Sequence, residues 1–519
     1  MRLQDFLDYG ATLRPESEFA VQAGRKLTYG DARAEANRIA NALIDGGLQS
    51  GDRVAILANN CIELALLYFG TAKAGVVPVP LNYRLAPPEW RYIVNDAGAR
   101  LVVARGGFAQ AIDGVRAELP SVERWLALDA QPPPGWESYA NWLDRADSRP
   151  PERRVEDSAD AYQMYTSGTT GRPKGAVVSH RALCANLFQL RTLLAGNPGQ
   201  RVLVVAPLYH AAAAVTAFSA TTWGGSLYLQ EEFDPAETVR VLDEEQIFST
   251  TLVPAMIQAC LVMVPGIAER KYRDLSHIVY GASPIAEQTL RRAMEVFRCE
   301  FAQAYGMTET TAVLTCLLPE DHRKALAGRP ELLLSAGRPL LGTEIAVVDP
   351  EGRRHPSRTT GEICGRGPQL MRGYWNLPEA SEAALRDGWM HTGDAGYLDD
   401  EGYLYVQDRT KDMIVSGGEN IYPREVEDVL FQHPAVADVA VIGVPSEHWG
   451  EEVKAIVVLR QGSSATSDEI VDFCRGALGG YKRPRSVDFV AALPRNPSGK
   501  VLKRELREPY WKGHDRRVS

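Results

Sequence analysis

Residues Tyr165 to Gly175 read Tyr-Thr-Ser-Gly-Thr-Thr-Gly-Arg-Pro-Lys-Gly, and this run restricts the fold more than any other stretch. Within eleven residues it carries four aliphatic hydroxyls, three glycines and two cations. Glycine allows φ > 0 and close approach of backbone to a ligand. Hydroxyls and freed backbone N–H groups make a concave donor surface suited to phosphate oxygens, and Lys174 adds a full positive charge. The flanks fix the setting. Ala161–Tyr165 and Ala176–Val178 are short apolar runs expected to be strands. A helical pattern begins only after Ser179 and His180, through Leu183, Leu187, Leu190 and Leu194. The expected unit is therefore strand-loop-strand. It is not a Walker A loop, because Gly168 and Gly171 are too close together and Lys174 is followed by Gly175. The same composition also fits a surface loop that binds nothing.

At 519 residues the chain exceeds the roughly 250–300 residues at which one core stops growing, so two or more domains are expected. Helical and strand patterns alternate over about the first four hundred residues, which predicts α/β layers. Tyr29–Leu43 and Cys61–Ala74 read as helices, Asp52–Ala58 and Val76–Val79 as strands. Beyond a charged, glycine-rich stretch at 408–420 the pattern changes. A helix at Pro423–Leu430, strands at Val436–Val444 and Val453–Leu459, and a helix at Ser467–Leu478 make a small α+β unit. The expected organisation is a large N-terminal domain of layered α/β sheets over 1–410 and a small mobile C-terminal domain over 411–519.

The net charge of −9 gives no basic face for nucleic acid. Seven cysteines, with no CxxC pair, argue against a disulfide framework or zinc ribbon and fit a reducing compartment. The N-terminus has no apolar signal segment. The longest uncharged run, Val202–Gln230, contains Pro207, His210, Gly224 and Gly225. It reads as strand, loop, Ala-rich helix, turn and strand rather than as a membrane span. A cytoplasmic enzyme is expected, with monomer and homodimer both open.

Four further polar clusters stand out. Ala304-Tyr305-Gly306-Met307-Thr308-Glu309-Thr310 offers an aromatic face, a hydroxyl and a carboxylate; one carboxylate suffices for Mg²⁺ held with substrate phosphates. It also reads as a helix start capped by Thr308. Trp389-Met390-His391-Thr392-Gly393-Asp394 presents a carboxylate for a pair of ribose hydroxyls, or a simple turn. Asp408-Arg409-Thr410-Lys411-Asp412 with Ser416-Gly417-Gly418 is a solvated charge run or a hinge. Arg495-Asn496-Pro497-Ser498-Gly499-Lys500 puts a lysine on a loop tip, where most lysines are inert.

In this order, the clusters resemble the adenylate-forming superfamily over essentially the whole chain. The matches at Tyr165–Gly175 and Asp408–Glu427 are specific, and the chain looks most like the bacterial fatty-acyl and aryl-CoA synthetases. The resemblance implies two half-reactions. A carboxylate attacks the α-phosphate of MgATP, giving acyl-AMP and pyrophosphate; the thiol of coenzyme A then displaces AMP. It also implies roles. Thr166, Ser167, Gly168, Thr169, Thr170, Gly171 and Lys174 would hold the β/γ-phosphates. Thr308 would touch the α-phosphate and Glu309 the Mg²⁺. Gly281, Ala282 and Ser283 with Gln303, Ala304, Tyr305 and Gly306 would surround adenine and the acyl carboxyl. Asp394 and Arg409 would hold the ribose. Lys500 would reach the reacting phosphorus, and Lys411 would be the hinge.

Where amino-acid-activating relatives carry an Asp, this chain has His210 beside Tyr209, which argues against an amino acid. Malonate-type relatives place an Arg where Ala304 stands, which disfavours a dicarboxylate. The small residues Ala211–Ala214 give room for an apolar chain or ring, or pack a helix closely. A medium- or long-chain fatty acid or an aryl acid is expected. Transfer to a carrier protein or amine is the alternative within this chemistry. A non-catalytic nucleotide-binding regulator is the alternative outside it.

Overall fold

Most of the parallel strands lie in two sheets, and each of these has a point where successive strands depart to opposite sides. The computed structural model describes residues 1–166, 172–283, 285–409, 412–416, 419–446, 449–495 and 500–512. In the larger sheet of nine strands, Arg201–Val204 lies between Ser226–Leu229 on one side and Ile247–Leu252 on the other. His277–Gly281 and Glu300–Tyr305 extend the parallel run beyond Ile247–Leu252. In the second sheet, of five strands, Arg53–Leu57 is flanked in parallel by Val77–Pro80 and Ala99–Ala104. Such switch points open a crevice beyond the carboxyl ends of the strands.

Asn60 joins the two crevices. It is 1% exposed. Its Nδ2 donates to the carbonyls of Ala206 and Gln230, and its Oδ1 accepts from the Leu208 N–H at 2.8 Å. One buried amide thus fixes the ends of both sheets. The helix Ile62–Ala74 follows it and is buried on nearly every side, Glu63 excepted. An apolar helix of that kind must lie inside the protein. Its N-terminus uses the Cys61 sulfur as acceptor for the Leu64 N–H, and Gly75, with φ 68°, ends it in the left-handed region.

Asp160–Thr166 and Lys174–Ser179 form an antiparallel pair, extended by Gly373–Tyr374. The two strands expected on either side of the glycine-rich run are present and paired, and the helix His180–Leu194 follows them. A separate antiparallel sheet contains Gly361–Arg366, Trp389–Leu398 and Leu404–Arg409. From Ile414 onward the strands build their own five-stranded sheet, with a buried core of its own. The helix expected over Ser467–Leu478 is shorter, Ser467–Phe473, and passes into a 3₁₀ turn at Cys474–Gly476. No helix among the described residues is long and apolar enough to cross a membrane.

Candidate active site

A cavity of about 1120 Å³ occupies the crevice between the two switch points. Eleven of the residues singled out by sequence line it: Thr166, Lys174, Tyr209, His210, Gly281, Ala282, Ala304, Gly306, Thr308, Glu309 and Lys500. They come from segments more than three hundred residues apart. Ser283, Gln303, Tyr305 and Asp394 do not line it. Ser167, Gly168, Thr169, Thr170, Gly171 and Lys411 lie outside the described residues.

At one end, Lys174 opens its strand and projects its Nζ over the Tyr374 ring, 4.9 Å from the centroid. The Tyr374 hydroxyl donates to Glu309 Oε1 at 2.8 Å. Backbone pairing of Tyr374 with Ala176 brings the tyrosine there. A cation, a phenol and a carboxylate thus stand in sequence along one wall. Glu309 is only 5% exposed. It sits in a single 3₁₀ turn, Thr308–Thr310, and Met371 N–H donates to its carbonyl. Thr308 does not cap a helix; the Thr310 hydroxyl bonds the Met307 backbone instead. The turn ends in Thr311 at φ 65°, a strained conformation for a β-branched residue. Thr311 is held there from two sides: its hydroxyl donates to the Gln369 carbonyl at 2.7 Å, and its own carbonyl accepts from the Tyr162 hydroxyl at 3.1 Å. Strain that the surroundings enforce in this way is typical of functional sites.

Gly281 pairs with Ala304 across adjacent parallel strands, and a Cβ at Gly281 would collide with the Ala304 carbonyl. Glycine is required there by close approach. Tyr305 donates from its hydroxyl to Asp394 Oδ2 at 2.9 Å. Asp394 lies inside the strand Trp389–Leu398, opposite Arg409, and not in a tight turn. The preceding Gly393 has φ 69° and lines the cavity. A side-chain cluster that sequence reading missed supports this stretch. Glu362 Oε1 accepts from the Gly393 N–H, while Glu362 Oε2 lies 2.8 Å from His391 Nδ1 and Cys364 Sγ lies 3.4 Å from the same nitrogen. Arg386 also reaches that nitrogen, at 2.8 Å.

His210 precedes the helix Ala211–Thr221, and its ring packs 4.4 Å from that of Tyr209. Its Nε2 and the Tyr209 hydroxyl are buried without a hydrogen bond among the described residues. Burial, with Arg84 acting in the same direction, pushes the His210 imidazole down to about 4, so it is neutral at pH 7. Ala211, Ala212 and Ala213 line the cavity while Ala214 is buried against the core, so the alanine run both packs the helix and opens space.

Lys500 reaches the cavity from the C-terminal sheet unit. Bridge pairing of Arg495 with Val501 holds the backbone around it, and Lys503 pairs with Glu427 at 2.9 Å. Arg424, in the helix Pro423–Leu430, donates to the Ile285 carbonyl at 3.2 Å and so ties that unit to the larger one. Tyr374 had no signal in the sequence. It lies 65 residues from Glu309, and only sheet pairing joins them.

The family model for AMP-binding enzymes matches residues 7–375, and that for the AMP-binding enzyme C-terminal domain matches residues 425–500. A fatty acid–[acyl-carrier-protein] ligase of Streptomyces coeruleorubidus is 38% identical, covering 98% of this chain and 97% of its own length. A feruloyl-CoA synthase of an Amycolatopsis species is 38% identical over 96% of this chain and 97% of its own. A fatty acyl CoA synthetase structure from Mycobacterium tuberculosis superposes with a TM-score of 0.79 at 36% identity, covering 99% of each chain.

Proposed function

Because the chain belongs to the AMP-binding enzyme family, in its acyl-CoA synthetase branch, we propose that it activates a carboxylic acid as acyl-AMP and passes the acyl group to coenzyme A. The observation that carries this reading is the convergence of Lys174, Thr308, Glu309 and Lys500 on one cavity that continues past Gly281 and Val279 towards Trp223. A carboxylate is a poor electrophile because its leaving group would be oxide. Adenylation replaces oxide with AMP. No side-chain nucleophile is needed, and catalysis rests on positioning and on stabilising charge at phosphorus.

In the first half-reaction Lys174, with the Thr166–Lys174 segment, grips the β- and γ-phosphates. Thr308 orients the α-phosphate, and Lys500 stabilises the negative charge that develops as the acid's carboxylate attacks and pyrophosphate leaves. Tyr305 and Asp394, already joined by a hydrogen bond, face the nucleoside, with Arg409 opposite Asp394. Glu309 suits Mg²⁺: it is a buried carboxylate on the cavity wall, oriented by a phenol, and such sites need only one or two protein carboxylates. Bound there, the ion would neutralise phosphate charge. In the second half-reaction the coenzyme A thiol displaces AMP. For that step the C-terminal unit, residues 411–519, rotates about Lys411 and withdraws Lys500, while the N-terminal unit, residues 1–410, keeps the acyl-AMP. The enzyme works in the cytoplasm.

Pyrophosphate release across a panel of alkyl and aryl acids tests the first step. Parallel reactions with coenzyme A, with a carrier-protein thiol and with no acceptor test the second. Acid-dependent pyrophosphate release followed by thioester formation with free coenzyme A is the expected result. ATP binding without any acid-dependent pyrophosphate would instead indicate a nucleotide-binding regulator.

A further inference from the structure

Beyond Gly281 the cavity continues along the larger sheet, and alternation along two parallel strands decides what faces it. Ser249 and Thr251 share one face of the strand Ile247–Leu252, and His277, Val279 and Gly281 share the same face of its neighbour; Thr250 and Tyr280 also reach the lining. Thr251 pairs in register with Val279, and Ser249 pairs with His277. The four steps from Gly281 to His277 span about 13 Å of strand. At that depth the wall turns polar again. Ser249 and His277 are each 7% exposed, both line the cavity, and neither side chain hydrogen-bonds to any described residue. Nearer hydroxyls behave differently: Thr216 and Thr251 satisfy each other at 2.8 Å, and Thr250 donates to the Leu203 carbonyl at 3.0 Å.

The polar atoms of this couple are open to the ligand space rather than sealed off without a partner, as the Tyr209 hydroxyl and His210 Nε2 are, so a ligand can pair them. The ring of Phe248 stands edge-on to both His277 and Trp223, at 5.2 Å and 6.1 Å, which fixes the imidazole in place. Burial pushes His277 down to about 4. A neutral imidazole has one N–H and one lone pair, and a serine hydroxyl both donates and accepts. Their natural complement is a group that also does both and carries no charge.

We propose that Ser249 and His277 select acids that carry a hydroxyl at the end remote from the carboxyl, either a phenol on an aryl acid or an ω-hydroxyl on an alkyl chain. The proposal deepens the acyl-CoA synthetase reading and rests on it. The test compares kcat/KM for pyrophosphate release with p-hydroxycinnamate against cinnamate and with ω-hydroxydecanoate against decanoate. It uses the full-length protein, Ser249→Ala and His277→Leu. The hydroxylated member of one pair should win by roughly tenfold, and the winning pair identifies the scaffold. That ratio should fall towards one in Ser249→Ala, which removes a single atom and keeps the test available if His277→Leu does not fold. Equal or better use of the plain acid in both pairs would overturn the proposal and leave the synthetase reading standing. A preference that survives both substitutions would also overturn it. Activation of no acid at all would remove the synthetase reading itself.

Discussion

At the Lys174 end of the cavity Lys174 and Glu309 are held by Tyr374 from another segment, whereas at the Trp223 end Ser249 and His277 make no hydrogen bond to a described residue. Lys174 rests on Tyr374, Tyr374 on Glu309, and the Glu309 turn is locked through Thr311 by Gln369 and Tyr162. Ser249 and His277 make no hydrogen bond to a described residue, although the Phe248 ring packs against the imidazole. The difference follows from what each end must do. A group that stabilises developing charge must be in place before reaction, because reorganisation at that moment costs rate. A group that recognises one part of a substrate is satisfied by the substrate itself.

The largest effect is expected at Lys500. Lys500→Ala should lower adenylation by about 10²–10³, the cost of one preorganised donor, and should largely spare thioester formation from supplied acyl-AMP. Equal losses in both half-reactions would refute a lysine that serves only the first. Lys174→Ala should come next, with about 10–100-fold lower kcat/KM for ATP, because hydrogen bonds to charged groups contribute roughly 1.5–3 kcal/mol. It should matter little once acyl-AMP is supplied; a crippled thioester step would mean that Lys174 holds more than the departing pyrophosphate. Tyr374→Phe removes only the hydroxyl that orients Glu309, so it should raise the Mg²⁺ concentration for half-maximal adenylation by up to about tenfold. An unchanged Mg²⁺ requirement would show that the phenol is packing and nothing more.

The smallest and most general effect concerns acid. His180 is fully buried, its Nδ1 accepts the Leu3 N–H at 3.3 Å, and burial pushes it down to about 4, as it does His277. In the unfolded chain both titrate near 6.5, about the ordinary histidine value. Between those values the unfolded state binds more protons, so stability rises with pH there and is lost as pH falls from about 6.5 to about 4. Each histidine should contribute a slope of about 1.4 kcal/mol per pH unit. Urea midpoints followed through this window report it, and His180→Leu should lower the slope by one proton.

The two ends also differ in how far the sequence revealed them. The glycines, hydroxyls and Lys174 fall within eleven consecutive residues, so the phosphate clamp proposed for them was legible as a local pattern. Thr308 and Glu309 were legible for the same reason, although the expected helix cap at Thr308 proved to be a 3₁₀ turn. The acyl wall was not legible. Ser249, Thr251, His277 and Val279 are unremarkable one by one, and they share a face only because two strands pair in parallel at one register. The one available signal, hydroxyls interrupting an otherwise buried strand at Phe248–Val253, does not say which side they face. Tyr374 belongs with them, since its partner Glu309 lies on a different segment.

By itself, then, the chain determined the α/β layering, the strand pair Asp160–Thr166 and Lys174–Ser179, the separate C-terminal sheet and the identity of the charged groups, because hydrophobic period and turn chemistry act over a few residues. Only the tertiary structure decided that these groups meet. Two switch points, pinned together by Asn60, set the cavity between sheets, and Lys500 and Glu309 both reach it. Strand register then assigned its far wall. Contacts of such long sequence separation depend on how whole sheets pack, and no short window of residues records that.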